Sequence, residues 1–521
     1  MSFSRRDFLK IMGVSSAIWQ IPTGVLARNP FQTSSFVTPS LKGISPDFQD
    51  RLLTAPGLSW QTILSEGDEL GRKIKFGANN DYIQFFQLTG PDHGIMWVNH
   101  EYLTPLLSSK PERTKEIVDQ EMEMVGGSLV EIRQTSEGWR PVIGSVYNRR
   151  VTGKTIIPFS GGKTILGKSE AVGTLANCAG GRTPWGTLLT CEENYDGFYG
   201  ETDRKTGTHT PAEYLKWDNF YNHPPEHYGW VVEVDPKTGS AKKHIGLGRF
   251  AHECATVRLA RDGRPVVYSG DDAADEHLYK FIAKNKGSLE EGTLYVANIT
   301  KGIWIPLVHS DPRLKKVFKD QTEILINCRE AAKLVGATPL DRPEDIEIDP
   351  YKGDVLVACT NNKAAQRPYG SILKIRERNN NPLSLNFTSE TFLSGGEAGG
   401  FACPDNMAFD PRGNLWFTTD MSGWDMHKGP LLNFGNNGLF VVMRQGPTAG
   451  IPIQMASAPM DAEFTGPLFS PDGKTLFLSV QHPGETSTDL TKLTSTWPNG
   501  KFPRSSVIAL TGPLLNQITG A

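Results

Sequence analysis

Residues 177 to 194 read NCAGGRTPWGTLLTCEEN, and the fold turns on how they are read. Pro184-Trp185-Gly186 is turn chemistry between two short runs, so the two halves are expected to run antiparallel and return Cys178 to Glu192 and Glu193. One end of one hairpin then offers a soft ligand beside hard ones. On local grounds the same residues also fit an ordinary hairpin with a buried free cysteine.

Working outward, the arrangement recurs: a strand opens on a polar residue, passes a glycine turn, and its return strand ends in a polar cluster. Asp81 precedes Gly94, with Asn99-His100-Glu101 beyond it; Cys178 precedes Gly186; Glu253 precedes Gly263, with Asp271-Asp272 following. Glu344 precedes Gly353 and Thr360-Asn361-Asn362, Asp405 precedes Gly413 and Asp420, and Glu463 precedes Gly473 and Gln481-His482. The turn glycines are separated by 92, 77, 90, 60 and 60 residues, and the last three turns read DPYKG, DPRG and SPDG. Six such units predict an all-β, six-bladed propeller whose equivalent strand ends converge on one mouth of the central channel. A single propeller domain over residues 51–521 follows, after a polar linker at 28–50. Residues 200–228 are expected to form a lid or rim loop, and residues 311–338 to be partly helical.

Composition agrees. The 53 glycines and 35 prolines are about a sixth of the chain, and the apolar runs are short and turn-bounded. A net charge of -3 argues against a nucleic-acid partner. Six cysteines spread over 521 residues predict one disulfide or none, with Cys191 and Cys359 in the core. Residues 1–27, opening SRRDFLK and closing on Val25-Leu26-Ala27, resemble a twin-arginine signal peptide. That implies export already folded, to the periplasm or the medium; the chain is expected to be monomeric. No apolar run near 18 residues remains to anchor it in a membrane.

The mouth would gather Glu101, Glu192, Glu193, Glu253, Asp271, Asp272, Glu344, Asp405, Asp420 and Glu463 with Cys178. So many carboxylates cannot share a pocket ionised unless cations neutralise them. Oxygen ligands in that number suit calcium, whereas a thiolate beside them suits iron, manganese or zinc. The absence of CxxC and HExxH argues against a standard zinc site. Arg342 stands two residues before Glu344, where a guanidinium makes sense holding an anion such as phosphate or paired to Asp341 or Glu344. Arg342 and Asn194 are the candidate catalytic residues.

Together with WVNHEY (97–102), GRFAHE (248–253), YSGDD (268–272), DRPE (341–344), PDNMAFDPRGNLWFTTD (404–420) and FSPDGKTLFLSVQHPGE (469–485), the opening stretch resembles the PhoX family of bacterial alkaline phosphatases. The resemblance implies hydrolysis of phosphomonoesters at a cofactor of two ferric irons and several calcium ions bridged by an oxo group. It implies Cys178 as the iron thiolate, Glu253 and Glu344 as iron ligands or bridges, and Arg342 as the phosphate-binding arginine. Glu101, Glu193, Asp271, Asp272, Asp405 and Glu463 would divide between iron and calcium. Two residues depart from the family pattern, Cys254 after Glu253 and Asp345 after Glu344. The alternatives are a calcium-dependent propeller lactonase and a non-catalytic, calcium-stabilised binding propeller.

Overall fold

The structure, a computed structural model, describes residues 41–521. The expected signal peptide at 1–27, and the linker as far as residue 40, lie outside the described residues. Six antiparallel sheets of four or five strands form the blades. Their innermost strands are Asn80–Gly90, Asn177–Arg182, Thr256–Leu259, Pro343–Ile348, Pro404–Phe409 and Glu463–Phe469, one for each expected hairpin and numbered here as blades 1 to 6.

Each second strand is buried on both faces because its successive side chains point to opposite neighbours. In blade 5, Trp416 packs toward blade 6 and Phe417 toward blade 4. In blade 6, Leu478 packs toward blade 5 and Phe477 toward blade 1. Runs such as LWFTT therefore read as continuously apolar rather than alternating. The six layers between blades make a closed ring of small cores.

Closure comes from the amino-terminal side: Ser59–Ser65 pairs antiparallel with Ser506–Thr511 as the outermost strand of blade 6, and Leu53–Thr54 extends blade 5. Residues 41–50, expected as linker, are tied to blade 5 instead. Ile44 N donates to Gln454 O (2.9 Å) and Asn436 N to Asp47 O (2.7 Å).

The opening stretch is a hairpin with Gly186 in the left-handed region, φ 91°. Its two glycines have a steric cause. A Cβ on Gly180 would stand 2.9 Å from the Tyr82 ring of blade 1, and one on Gly181 would stand 2.0 Å from Ala255 O of blade 3. The innermost strand is where neighbouring blades wedge closest, and only glycine fits there. One expected turn is misplaced: Gly94 pairs with Gln87 inside its strand, and the turn is Pro91-Asp92.

The segment at 311–338 is helical as expected, in Pro312–Lys315, Gln321–Ile326 and Cys328–Val335, laid against the core between blades 2 and 3. The 200–228 segment folds over the mouth as short strands and turns, held by Arg204 to Glu330 (2.8 Å) and Arg249 to Glu201 (2.9 Å). All six cysteines are free, with Cys191 and Cys359 buried.

Candidate metal centre and active site

Five of the six innermost strands break register at the same place. The pairs Asn80↔His100, Asn177↔Glu192, Pro343↔Cys359 and Pro404↔Thr419 are each followed by two unpaired residues before pairing resumes. In blade 3 the bridge His252↔Asp271 is followed by three unpaired residues before pairing resumes at Thr256↔Tyr268. The first residue of each bulge is Asp81, Cys178, Glu253, Glu344 or Asp405. A bulge re-aims its side chain, and all five line the mouth. In blade 6 the break falls after Thr465, which lines the same cavity together with Glu463.

The second strands add an outer ring of Glu101, Glu193, Asp272, Asp420 and His482, each immediately beyond the paired residue. This placement corrects two expected ligands. Glu192 and Asp271 are the paired residues themselves, and the two-residue period of a strand turns them away from Glu193 and Asp272. Glu192 accepts from Lys243 Nζ (2.7 Å), both side chains wholly buried, and Asp271 accepts from Arg329 Nε (3.0 Å). We predict that Lys243→Ala, which strands Glu192 as a lone buried charge, costs about 3–5 kcal/mol of stability. Metal content of the folded fraction should stay unchanged; a parallel loss of metal in Lys243→Ala and Glu192→Gln would return Glu192 to the ligands.

Ligand atoms of Asp81, Glu101 and Cys178 lie within 4.8 Å of one another, as do those of Cys178, Glu193 and Glu253, and those of Glu253, Glu344 and Asp405. The three groups form a chain, because Cys178 belongs to the first two and Glu253 to the last two. Asp81, not among the expected ligands, completes the first group. Its signal was present, since it opens the first hairpin where the others carry their ligands.

Electrostatics separates this cluster from solvated surface acids. Burial pushes Asp81 up to about 6 and Glu101 up to about 7. Burial, then neighbouring carboxylates, holds Glu193, Glu253, Asp405 and Glu463 well above the usual carboxylate range. Burial, then Asp81 and Glu253, raises the Cys178 thiol. Asp81 Oδ1, Glu253 Oε2 and Glu463 Oε2 are buried without a hydrogen-bond partner. Orphaned carboxylate oxygens beside a thiol are the donors a multivalent cation would satisfy.

Surrounding residues hold the cluster rigid. Asn99 Nδ2 donates to the carbonyls of Cys178 and Ala179, while Asn99 Oδ1 accepts from Trp97 Nε1 (2.6 Å) and Thr190 Oγ1 (2.7 Å). Gln481 Nε2 donates to Glu101 (2.8 Å), and His482 Nε2 meets Glu463 Oε1 at 3.1 Å. The departures at Cys254 and Asp345 do not intrude. Cys254 is buried between blades, and Asp345 accepts from Ile346 N and Met407 N, each at 2.8 Å.

Arg342, with φ 52°, projects into the cavity and donates bidentately to Asp272 through Nε and Nη2, each at 2.8 Å. Its Nη2 is also 3.0 Å from Glu344 and 3.5 Å from Asp420, whereas Asp341 pairs with Arg367. Burial pushes Asp272 up, but the guanidinium outweighs it and the net shift is down. The guanidinium, expected to hold an anion or to pair with Asp341 or Glu344, is thus turned on Asp272 and also meets Glu344. Asn194 is exposed at the edge of the cavity, its Nδ2 3.4 Å from Glu101.

The cavity above these groups has a volume of about 740 Å³. Among the described residues, no helix is long and apolar enough to cross a membrane.

No curated protein matches the chain. Among solved structures, Pseudomonas fluorescens PhoX in complex with vanadate, a transition state analogue, matches with 30% identity and a TM-score of 0.82, over 91% of this chain and 98% of that one. The gluconolactonase XC5397 of Xanthomonas campestris matches with 10% identity and a TM-score of 0.37, over 92% of this chain and 99% of that one. The family model described as alkaline phosphatase PhoX matches residues 40–484, from the start of the described chain to the last hairpin at the mouth. The protein therefore belongs to the PhoX family of alkaline phosphatases, phosphoric monoester hydrolases carried on a six-bladed propeller.

Proposed function

We propose that the chain hydrolyses phosphomonoesters at a three-site metal centre on the propeller axis, with iron at the two groups that share Cys178 and calcium at all-oxygen positions. The observation that carries this reading is the chain of three ligand groups joined through Cys178 and Glu253. Thiolate donation suits ferric iron, while the carboxylates of Glu344, Asp405 and Glu463 suit a hard cation. Bound there, such ions supply Lewis acidity toward phosphoryl oxygens and lower the pKa of water.

The protein's own groups do the rest. Glu101, Glu193 and Glu253, whose burial favours the protonated form in the bare site, are held as carboxylates once cations offset them, and they fix the ions rather than move protons. Arg342 is the strong cation facing the cavity, and Asp272 pre-orients its planar fork. A phosphoryl group entering beside Asp272 receives the donors of Nη1, which Asp272 and Glu344 leave free, as charge builds on its equatorial oxygens. Asn194, exposed at the edge, contributes a neutral amide donor. Export by the twin-arginine route belongs to the same reading, because a centre assembled from six blades needs the folded chain.

Chromogenic p-nitrophenyl phosphate at alkaline pH tests the activity. Turnover is expected to disappear in chelator and return with iron and calcium; turnover indifferent to chelation would sink the reading. Arg342→Ala is expected to lower kcat/KM by about 10²–10³-fold, the cost of removing a preorganised oxyanion donor, and to weaken inhibition by inorganic phosphate. If both stay as in the wild type, Arg342 serves only to hold Asp272.

A further inference from the structure

The cavity is large enough for a whole small molecule rather than a phosphate alone. Its inner part is the ligand ring; its outer part has a different character. Trp424 leaves 58% of its surface exposed on the loop after the second strand of blade 5, and Tyr214, 49% exposed, stands on the 200–228 segment inserted in blade 2. Both aromatic side chains line the one opening, Tyr214 reaching over from its insertion to the loop after the second strand of blade 1. The Tyr214 ring is fixed, since its hydroxyl donates to Leu103 O (2.7 Å).

Charge narrows the class of ligand. Of the residues lining the cavity only Arg342 and His482 are basic, and both are engaged, Arg342 on Asp272 and His482 on Asp461 O (2.8 Å) and Glu463. The acidic rim residues Asp196 and Glu213 are exposed and make no ion pair among the described residues. At the floor, Thr465 Oγ1 is buried and makes no hydrogen bond. At the rim a second anionic group on the leaving alcohol would meet the carboxylates of Asp196 and Glu213 with no basic side chain to receive it. A cationic group would meet those carboxylates and two aromatic faces.

We propose that the outer half of the mouth is a leaving-group subsite selecting phosphomonoesters of cationic alcohols, with Trp424 and Tyr214 as its walls and Glu213 as its charge filter. This rests on the phosphatase reading above. The ester's phosphoryl end lies over the inner ring of acids while its quaternary or primary ammonium lies against the aromatic faces; water adds to phosphorus, the P–O ester bond breaks, and the alcohol leaves with a proton from that water and its positive charge unchanged.

The test compares kcat/KM for phosphocholine, methyl phosphate and fructose 1,6-bisphosphate on the metal-loaded full chain. Methyl phosphate has no group to reach the rim, so it serves as the internal reference. The wild type is expected to favour phosphocholine over methyl phosphate and to disfavour the bisphosphate. Trp424→Ala is expected to lower the phosphocholine to methyl phosphate ratio about two- to fivefold, the scale of one solvent-exposed cation–aromatic contact. Glu213→Lys should lower the same ratio and raise that for the bisphosphate. An unchanged phosphocholine ratio in Trp424→Ala overturns the subsite, whatever Glu213→Lys does. Absence of phosphate release from methyl phosphate and phosphocholine alike overturns the phosphatase reading beneath it.

Discussion

Cys178→Ala is expected to abolish iron binding and to lower kcat/KM on p-nitrophenyl phosphate by more than about a hundredfold, the scale set by losing a preorganised charge-stabilising group, while the propeller stays folded. The thiol belongs to two of the three ligand groups, so its removal opens both at once. The side chain is only half-buried and leaves no large void, and its bulge is fixed by Asn99 through backbone carbonyls that alanine keeps. The fold should therefore survive, and circular dichroism with thermal melting checks that it does. Elemental analysis reads the metal. Iron retained at wild-type stoichiometry with full turnover would remove Cys178 from the centre and leave an all-oxygen site. Cys178→Ser, which keeps an oxygen donor of similar size, is expected to recover metal only in part, because a neutral hydroxyl is a poorer iron ligand than a thiolate.

The architecture was legible because each blade repeats a local event, a strand, a glycine turn and a polar return, and local events are what a sequence displays. Turn residues such as Asp410-Pro411-Arg412-Gly413 mark the hairpins directly. Closure was not legible. Ser59 and Thr511 are 452 residues apart, and nothing in either strand names its partner. The misplaced turn at Gly94 has a similar origin, since glycine there serves close packing: a Cβ would stand 2.4 Å from the Phe85 ring.

At the site, residue types were legible but their directions were not. Adjacent acids at 192–193 and 271–272 both looked like ligands, yet a strand end can aim only one of each pair inward. Counting from the paired residue, rather than from the turn, would have chosen Glu193 and Asp272 and would have promoted Asp81. Asp81 holds the same strand-end place as Glu253 and Asp405, so the sequence carried its signal as fully as theirs. The bidentate grip of Asp272 on Arg342 joins blades 3 and 4 and is a purely tertiary contact.

Metal removal is expected to make the protein's stability fall steeply with rising pH, opposite to the usual behaviour of paired carboxylates. In the metal-free fold Asp81 and Glu101 are raised to about 6 and about 7, from 3.8 and 4.5, by burial. Groups raised on folding bind protons more tightly in the native state than in the unfolded one. Their contribution is full below the unfolded values, near pH 4, and is lost as pH climbs through the folded values. These two alone correspond to a loss on the order of 3 kcal/mol each as pH passes from about 4 to above 7, and Glu193, Glu253, Asp405 and Glu463 extend the loss to higher pH. The cost arises from ionising carboxylates against one another in a dry mouth, and bound cations cancel it. The loaded protein should therefore hold its Tm across pH 5 to 9, while the chelated protein loses several degrees per unit, so that the gap between the two curves widens toward alkaline pH. Parallel curves would mean that the carboxylates keep their ordinary affinity for protons and that no metal neutralises them. A gap that widens in the wild type and narrows in Glu253→Gln would locate the effect at the residue shared by two of the three sites.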